Sequence, residues 1–366
     1  EGFGRFRQTR RPEDMVVQPV FFAFNAESFG FSGSDRFFLD VEQFVCEIRQ
    51  NISSPLAEDA EDDDGRIDFF PGCDQPYFPS LRFKEFAGAQ WDGFVDLSQI
   101  SYQQGSLSLF LHQANNVTST IRDALIEEFG GSMVVSNQPE LPPSLLQSVA
   151  QRQPVIPSML ISDYDAEFNN PYYHSLFDDT ENFYNLGANG TLCLIADSIT
   201  RALIRTAFPE VPPEGTSTFK ATCSFIDMFV GCLSDSQFNC SVASEIFGEV
   251  AEAINYNERV VPEQYTGPFA TVGRARSRAG LAVKWDLLTG FMALHNAFEV
   301  TEIECESARD CTNVTLEHNG ELTNESHEAF TPSRCVGNVC VLSDVFLHDA
   351  YGTGLELNTE NDTAAF

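Results

Sequence analysis

Residues 160–182, Leu160-Ile-Ser-Asp-Tyr-Asp-Ala-Glu-Phe-Asn-Asn-Pro-Tyr-Tyr-His-Ser-Leu-Phe-Asp-Asp-Thr-Glu-Asn182, decide how the chain is read. Residues 155–161, which lead into this stretch, are a short apolar run of the kind a buried strand makes. The run opens into a polar loop crowded with Asp163, Asp165, Asn169 and Asn170. In α/β proteins, strand ends that open into such loops are where sites are built. Past Pro171 stand Tyr172, Tyr173 and His174, and the acidic pair Asp178 and Asp179 is suited to cap the segment that follows. A histidine among carboxylates reads as a metal or proton-transfer position, or as a hydrogen-bonded side chain in an aromatic wall; the residues leave both open.

Working outward, residues 15–24 read as a second buried strand from their Val and Phe content, with Pro19 marking where regular pairing begins. Gly30 and Gly33 then allow a tight turn, which sets Glu27 at that strand's C-terminal end. From Asp35 onward, Phe37, Val41, Phe44, Val45 and Ile48 share one helix face, with Ser34 or Asp35 as the cap. Strands are expected over 91–100 and 107–112, and helices over 119–129, 145–150, 191–207, 224–233 and 241–254. Beyond Pro262 the pattern weakens: 269–272 and 281–285 read as strands, and 287–298 as either type. Strand, loop and helix in this alternation define an α/β class. Residues 1–14 read as a linker remnant, 15–260 as the α/β domain and 261–366 as an extension.

With 54 acidic and 21 basic residues the formal charge is -33, which repels nucleic-acid and anionic-lipid phosphates at long range. No nucleic-acid partner is expected. The ten cysteines include no Cys-x-x-Cys pair, so disulfides explain them better than zinc. Cys232 and Cys240 are near enough in sequence to close a short loop. Asn-x-Ser/Thr acceptors at Asn51, Asn116, Asn189, Asn239, Asn313, Asn324 and Asn361 point to a secretory lumen. No run of about 18 apolar residues is present, and an export signal upstream and an anchor downstream are expected outside this stretch of chain.

Gly-x-Gly-x-x-Gly, Walker and His-Glu-x-x-His patterns are absent, and Gly30-Phe-Ser-Gly33 falls one residue short of Gly-x-Ser-x-Gly. What remains is Glu27, Asp96 and His174, each placed after a strand. Asn25-Ala-Glu-Ser-Phe-Gly-Phe-Ser-Gly-Ser34 resembles the Ala-Glu-Glu-x-Gly-x-x-Gly-Ser turn of zinc aminopeptidases. Tyr173-His174-Ser175 resembles their last ligand motif, and Phe94-Val-Asp-Leu-Ser-Gln99 their Ile-Asn-Leu-Asp strand. By that resemblance Glu27 matches the general base and His174 a ligand. Ser28 and Ser98 stand where two ligand carboxylates belong, and a hydroxyl replaces a carboxylate poorly on a dication.

This pattern of loss is similar to the nicastrin family, glycosylated ectodomain subunits of γ-secretase. The resemblance rests on Val20-Phe-Phe with 27–36, Phe94 to Ile100, Leu141-Pro-Pro-Ser-Leu-Leu, Asp163 to Asn182, and Asn324-Glu-Ser to Arg334-Cys-Val. The family's Asp-Tyr-Ile-Gly-Ser motif is Gly30-Phe31-Ser32-Gly33-Ser34 here, so its Asp and Tyr hydroxyl are missing. The resemblance implies a three-layer aminopeptidase-like (α/β/α) sandwich, incomplete at its N-terminal side, with a disulfide-tied C-terminal extension. It implies a non-catalytic subunit without cofactor, partnered by a presenilin-type aspartyl protease and the other γ-secretase subunits. It further implies that Glu27 and Phe31 recognise type I membrane-protein stubs, in a lumenal or extracellular part of a single-pass membrane protein. Of the cysteines, it supports pairing Cys305 with Cys335; Cys311 with Cys340 is the companion expectation. An active zinc aminopeptidase and a receptor-like binding domain are the alternatives.

Overall fold

The computed structural model describes residues 14–24, 27, 30–45, 73–74, 77–78, 83–100, 107–138, 140–167, 169–173, 175, 177–216, 219, 223–234, 240–248, 279–297, 299–306, 308–311, 313–314, 333–345, 356–358 and 363–365. The chain divides into two compact units, Glu1–Glu27 with Gln90–Gly231, and Ser28–Ala89 with Cys232–Phe366.

The first unit is built on a mixed four-stranded sheet of β1 (Phe94–Leu97), β2 (Leu107–His112), β3 (Met133–Val135) and β4 (Ser158–Ser162), ordered β1-β4-β2-β3. β4 runs parallel to β1, with Phe94 opposite Ser158 and Leu97 opposite Ile161, and antiparallel to β2. All five residues of β4 are buried, as expected of a central strand covered on both faces. The expected strand over 155–161 therefore exists, displaced by a few residues. It lies inside the sheet, with neighbours on both sides.

One sheet face is covered by α2 (Asn116–Phe129) and α4 (Ala188–Ala207), introduced with α1 (Ser32–Glu42) and α3 (Leu146–Arg152) in chain order. Leu107, Leu109, Met159 and Ile161 meet Ile121, Leu125, Phe129, Ile195 and Ala202 there in one apolar cluster. Phe110 and Leu160 alternate with those strand residues and are also buried, so the opposite face is covered too. Arg201 of α4 ties to Glu128 of α2 at 2.7 Å. Asn115 and Thr118 start α2 with a reciprocal capping box. Cys193 of α4 bonds Cys223 across 5.2 Å between Cα atoms, a pairing the spacing of the cysteines does not announce.

Residues 15–24 are not a strand. They join no ladder, and Val16 and Phe21 stay 65% and 46% exposed. Val16 donates to the Ala207 carbonyl, and Phe22 stacks on Phe24 and meets Trp91. Aromatic packing holds this segment in place of a strand's hydrogen bonds.

In the second unit, α1 buries Phe37, Phe38 and Val41. It begins at Ser32 with Phe31 as the N-cap residue, so neither Ser34 nor Asp35 caps it. The Ser34 hydroxyl donates instead to the Phe31 carbonyl. The left-handed turn falls on Gly30 and Phe31, not on Gly33. Helix Cys223–Ser234 carries the unit boundary, Ser241–Phe247 ends at Gly248, and Ala279–His295 is one long helix. The expected strand over 281–285 is thus helical; its apolar residues show no period that separates the two types. The expected strand over 269–272 lies outside the described residues.

A three-stranded antiparallel sheet follows, of β5 (Glu299–Glu304), β6 (Ser333–Val336) and β7 (Val339–Leu342), with β7 central. Cys305–Cys335 and Cys311–Cys340 are disulfides with Cα separations of 5.8 and 5.4 Å. Cys305, Cys311, Cys340, Val314 and Leu342 form the lobe's small core. Cys232 and Cys240 also pair, closing the short loop their spacing allows. Among the described residues no helix is long and apolar enough to cross a membrane.

Candidate functional site

Because β1 and β4 are parallel neighbours, their C-terminal ends lie side by side and bring two loops together. The join is extended past the strands: Ser98 donates its N–H to the Ile161 carbonyl at 3.2 Å, and Asp163 donates to the Gln99 carbonyl at 2.9 Å. Gln99 takes a left-handed backbone, φ 54°, and turns the chain away at this point.

β1 alternates buried and exposed side chains, with Phe94 and Asp96 inward and Val95 and Leu97 outward. Asp96 is therefore carried into the interior by strand periodicity and is only 5% exposed. Burial pushes its carboxyl from 3.8 up to about 6, and the nearby charge of Glu27 pushes the same way. A hydrogen bond from the Ser144 hydroxyl and backbone hydrogen bonds at Leu97 and Leu145 work against the rise. One oxygen, Oδ2, is buried with no hydrogen-bond partner.

Ser144 is fully buried and accepts the Leu146 N–H at 3.2 Å, so the first turn of α3 fixes its hydroxyl under Asp96. Glu27 is half-buried. Phe22 lies 6.2 Å from Trp91, and Trp91 lies 5.1 Å from Phe94, two residues ahead of Asp96.

The loop after β4 is held by its own polar side chains. Asn169 donates through Nδ2 to the Asp163 carbonyl. Asn170 Oδ1 accepts the Tyr172 N–H, and the Ser136 hydroxyl donates to Asp165. Asp179, rather than Asp178, caps the helix Thr180–Asn185 by accepting the Asn182 N–H at 2.9 Å.

Of the residues singled out by sequence, Glu27 carries a charge that helps raise the Asp96 carboxyl, and Ser98 stands just past the end of β1. Ser28 and His174 lie outside the described residues, as do Asn51, Asn239, Asn324 and Asn361. Asn116 is exposed at the first position of α2, Asn189 is half-buried in the first turn of α4, and Asn313 is exposed. Phe31 belongs to the second unit, where it is half-buried and left-handed at the head of α1. Ser144 was not foreseen as a site residue. It sits in Leu141-Pro-Pro-Ser-Leu-Leu, a segment legible as a resemblance but silent about where its hydroxyl points. Among the described residues, the one group of three close potential metal donors is Cys305, Cys311 and Cys340, all in disulfides.

Fold and site together define a mixed α/β domain of peptidase-like sequence resemblance, with a buried carboxylate, Asp96, one residue from the end of β1. Residues 11–192 match the family described as Nicastrin large lobe. A relative named nicastrin from Dictyostelium purpureum is 24% identical over 350 residues, which cover 94% of this chain and 46% of that protein. The chain thus spans about half the length of that relative. Its fold matches the crystal structure of the gamma-secretase component nicastrin at a TM-score of 0.64 and 22% identity, covering 100% of this chain and 56% of that one. The chain therefore carries the nicastrin large-lobe region over residues 11–192.

Proposed function

We propose that this chain is the non-catalytic ectodomain portion of a γ-secretase-type complex, a glycoprotein that helps assemble the complex and recognises or sterically filters membrane-protein stubs. Its partners are a presenilin-type aspartyl protease, the other subunits, and type I membrane proteins already cut short outside the membrane. It acts on the lumenal or extracellular side, residues 15–260 forming the peptidase-like part and 261–366 the extension. The observation that carries this reading is the pairing of Glu27 with a buried Asp96: their mutual repulsion is relieved by a positive ligand, and the new amino terminus of a trimmed stub is one. Phe31, where the family has a tyrosine, has only an apolar or cation-π face to offer. Ser98 in place of a carboxylate ligand argues against hydrolysis.

The test uses the full-length protein in its membrane complex. Glu27→Gln is expected to weaken capture of a stub with a free amino terminus and to leave capture of its N-acetylated form unchanged. Stoichiometric zinc together with peptide trimming by the purified full-length protein would instead establish the aminopeptidase alternative.

A further inference from the structure

β5 is an edge strand: β7 pairs with one side of it, and among the described residues no strand pairs with the other. Its pairing is interrupted midway. Val300 stands opposite Val341 and Glu304 opposite Val339, so Thr301, Glu302 and Ile303 face Cys340 alone. A bulge of this kind turns side chains out of the ladder. This one is held from inside: the Thr301 hydroxyl donates to the Cys340 carbonyl at 2.9 Å and accepts the Ile303 N–H at 3.3 Å. Val300 and Ile303 are left 50% and 44% exposed. Beside the bulge lies an open groove of about 480 Å³, walled by β5 and floored by Val314 and Leu342 of the disulfide-tied core. That is the size of sites that take a small ligand or a few side chains. Its rim is acidic. Glu299 and Glu302 line it, Glu304 follows on the same exposed strand, and among the described residues no basic side chain joins the lining.

We propose that the β5 edge is a docking groove for an extended basic and apolar peptide segment of a partner protein. An apolar side chain enters over Val314 and Leu342, between Val300 and Ile303, while flanking lysines or arginines meet Glu299 and Glu302. Peptides that lie along an exposed sheet edge are held in this way, with pockets for alternate side chains setting the choice of sequence. Apolar burial supplies the affinity and the glutamates supply the selection. Charges and a bulge on an edge strand keep a like strand away. A second copy of this edge would set glutamate against glutamate, and the same field draws a basic segment in. The surface belongs to the second unit, and the proposal does not involve Glu27.

The experiment uses the full-length protein and fluorescein-labelled peptides capped at both ends, so that no free amino terminus is present. By anisotropy, a peptide of alternating Lys and Val is expected to bind about tenfold more tightly than its Lys and Ser counterpart of equal charge. The Glu and Val counterpart is expected not to bind. Val300→Ser with Ile303→Ser, both at exposed positions, should weaken the Lys and Val peptide about tenfold, and Glu299→Gln with Glu302→Gln about threefold or more. Equal binding of the Lys and Ser peptide means adsorption to the acidic surface at large and overturns the groove. Binding that either double variant leaves unchanged overturns it too. Failure of the unmodified protein to bind the Lys and Val peptide also overturns the proposal, and sedimentation velocity then tells whether a second copy fills the groove, since Val300→Ser with Ile303→Ser would dissociate such a dimer.

Discussion

Asn338 lies so close to Gly248 that a Cβ at that glycine would overlap its side-chain amide. Gly248 has φ +57°, and one residue before Asn338, Gly337 has φ +59° with the Glu245 carbonyl where its Cβ would stand. The Gly337 N–H donates to the Ile246 carbonyl at 2.8 Å. The β6–β7 turn and the C-terminus of helix Ser241–Phe247 are therefore fitted backbone to backbone. Gly337→Ala is expected to cost about 2 kcal/mol or more, from left-handed strain plus overlap, and Gly248→Ala a similar amount. Thermal melts of the two variants measure it; unchanged melting would remove the interlock.

Asp96 makes stability depend on pH with a definite sign. Its folded value of about 6 lies above its ordinary 3.8, so the folded chain holds this proton more tightly than the unfolded one. The group's contribution is fully present below pH 3.8 and is lost as pH rises through 6, a swing of about 3 kcal/mol. Asp96→Asn is expected to flatten that part of the stability profile and to raise the melting temperature at pH 7.4. Denaturant unfolding of both proteins at pH 4.5 and 7.4 supplies the comparison.

At the head of α2, Thr118 is fully buried and its hydroxyl accepts the Asn115 N–H, while Asn115 Oδ1 accepts the Thr118 N–H. Asn115→Ala is expected to cost about 1 kcal/mol and to leave the acceptor triplet at Asn116 intact. Thr118→Ala removes the reciprocal half of the capping box, the hydroxyl that accepts the Asn115 N–H, together with the triplet. Chemical denaturation combined with glycan mass mapping separates these two consequences.

The Cys305–Cys335 bridge closes a separation of 30 residues. Replacing both cysteines by alanine is expected to destabilise the small lobe by about 3–4 kcal/mol through the freed entropy of the unfolded chain. Non-reducing peptide mapping should recover the Cys305–Cys335 and Cys311–Cys340 cross-links; a free Cys305 thiol would contradict the structure.

Arg201 and Glu128 meet at 2.7 Å with exposures of 11% and 24%, dry enough to exceed an ordinary surface pair. A double-mutant cycle with Arg201→Met and Glu128→Gln is expected to show about 1 kcal/mol of coupling. Additive effects would mean the pair contributes nothing of its own.

Local pattern by itself determined the elements whose burial is one-sided or complete. The apolar run into β4, the alternating β1 and the periodic face of α4 each announce their type, because a helix face or strand face is set by spacing along the chain. Composition likewise fixed the acidic charge and the disulfide chemistry. Tertiary structure alone decided what the apolar residues at 15–24 do, since a strand needs a partner's hydrogen bonds and these residues find rings instead. It also decided the helix through 281–285. The site shows the same division. Glu27 and Asp96 could be named from the sequence as carboxylates after strands, but their shared field, the Ser144 hydroxyl beneath Asp96 and the open Oδ2 arise only when β1, α3 and the segment before Glu27 are packed together. Distances between residues remote in sequence are set by packing, and no spacing rule encodes them.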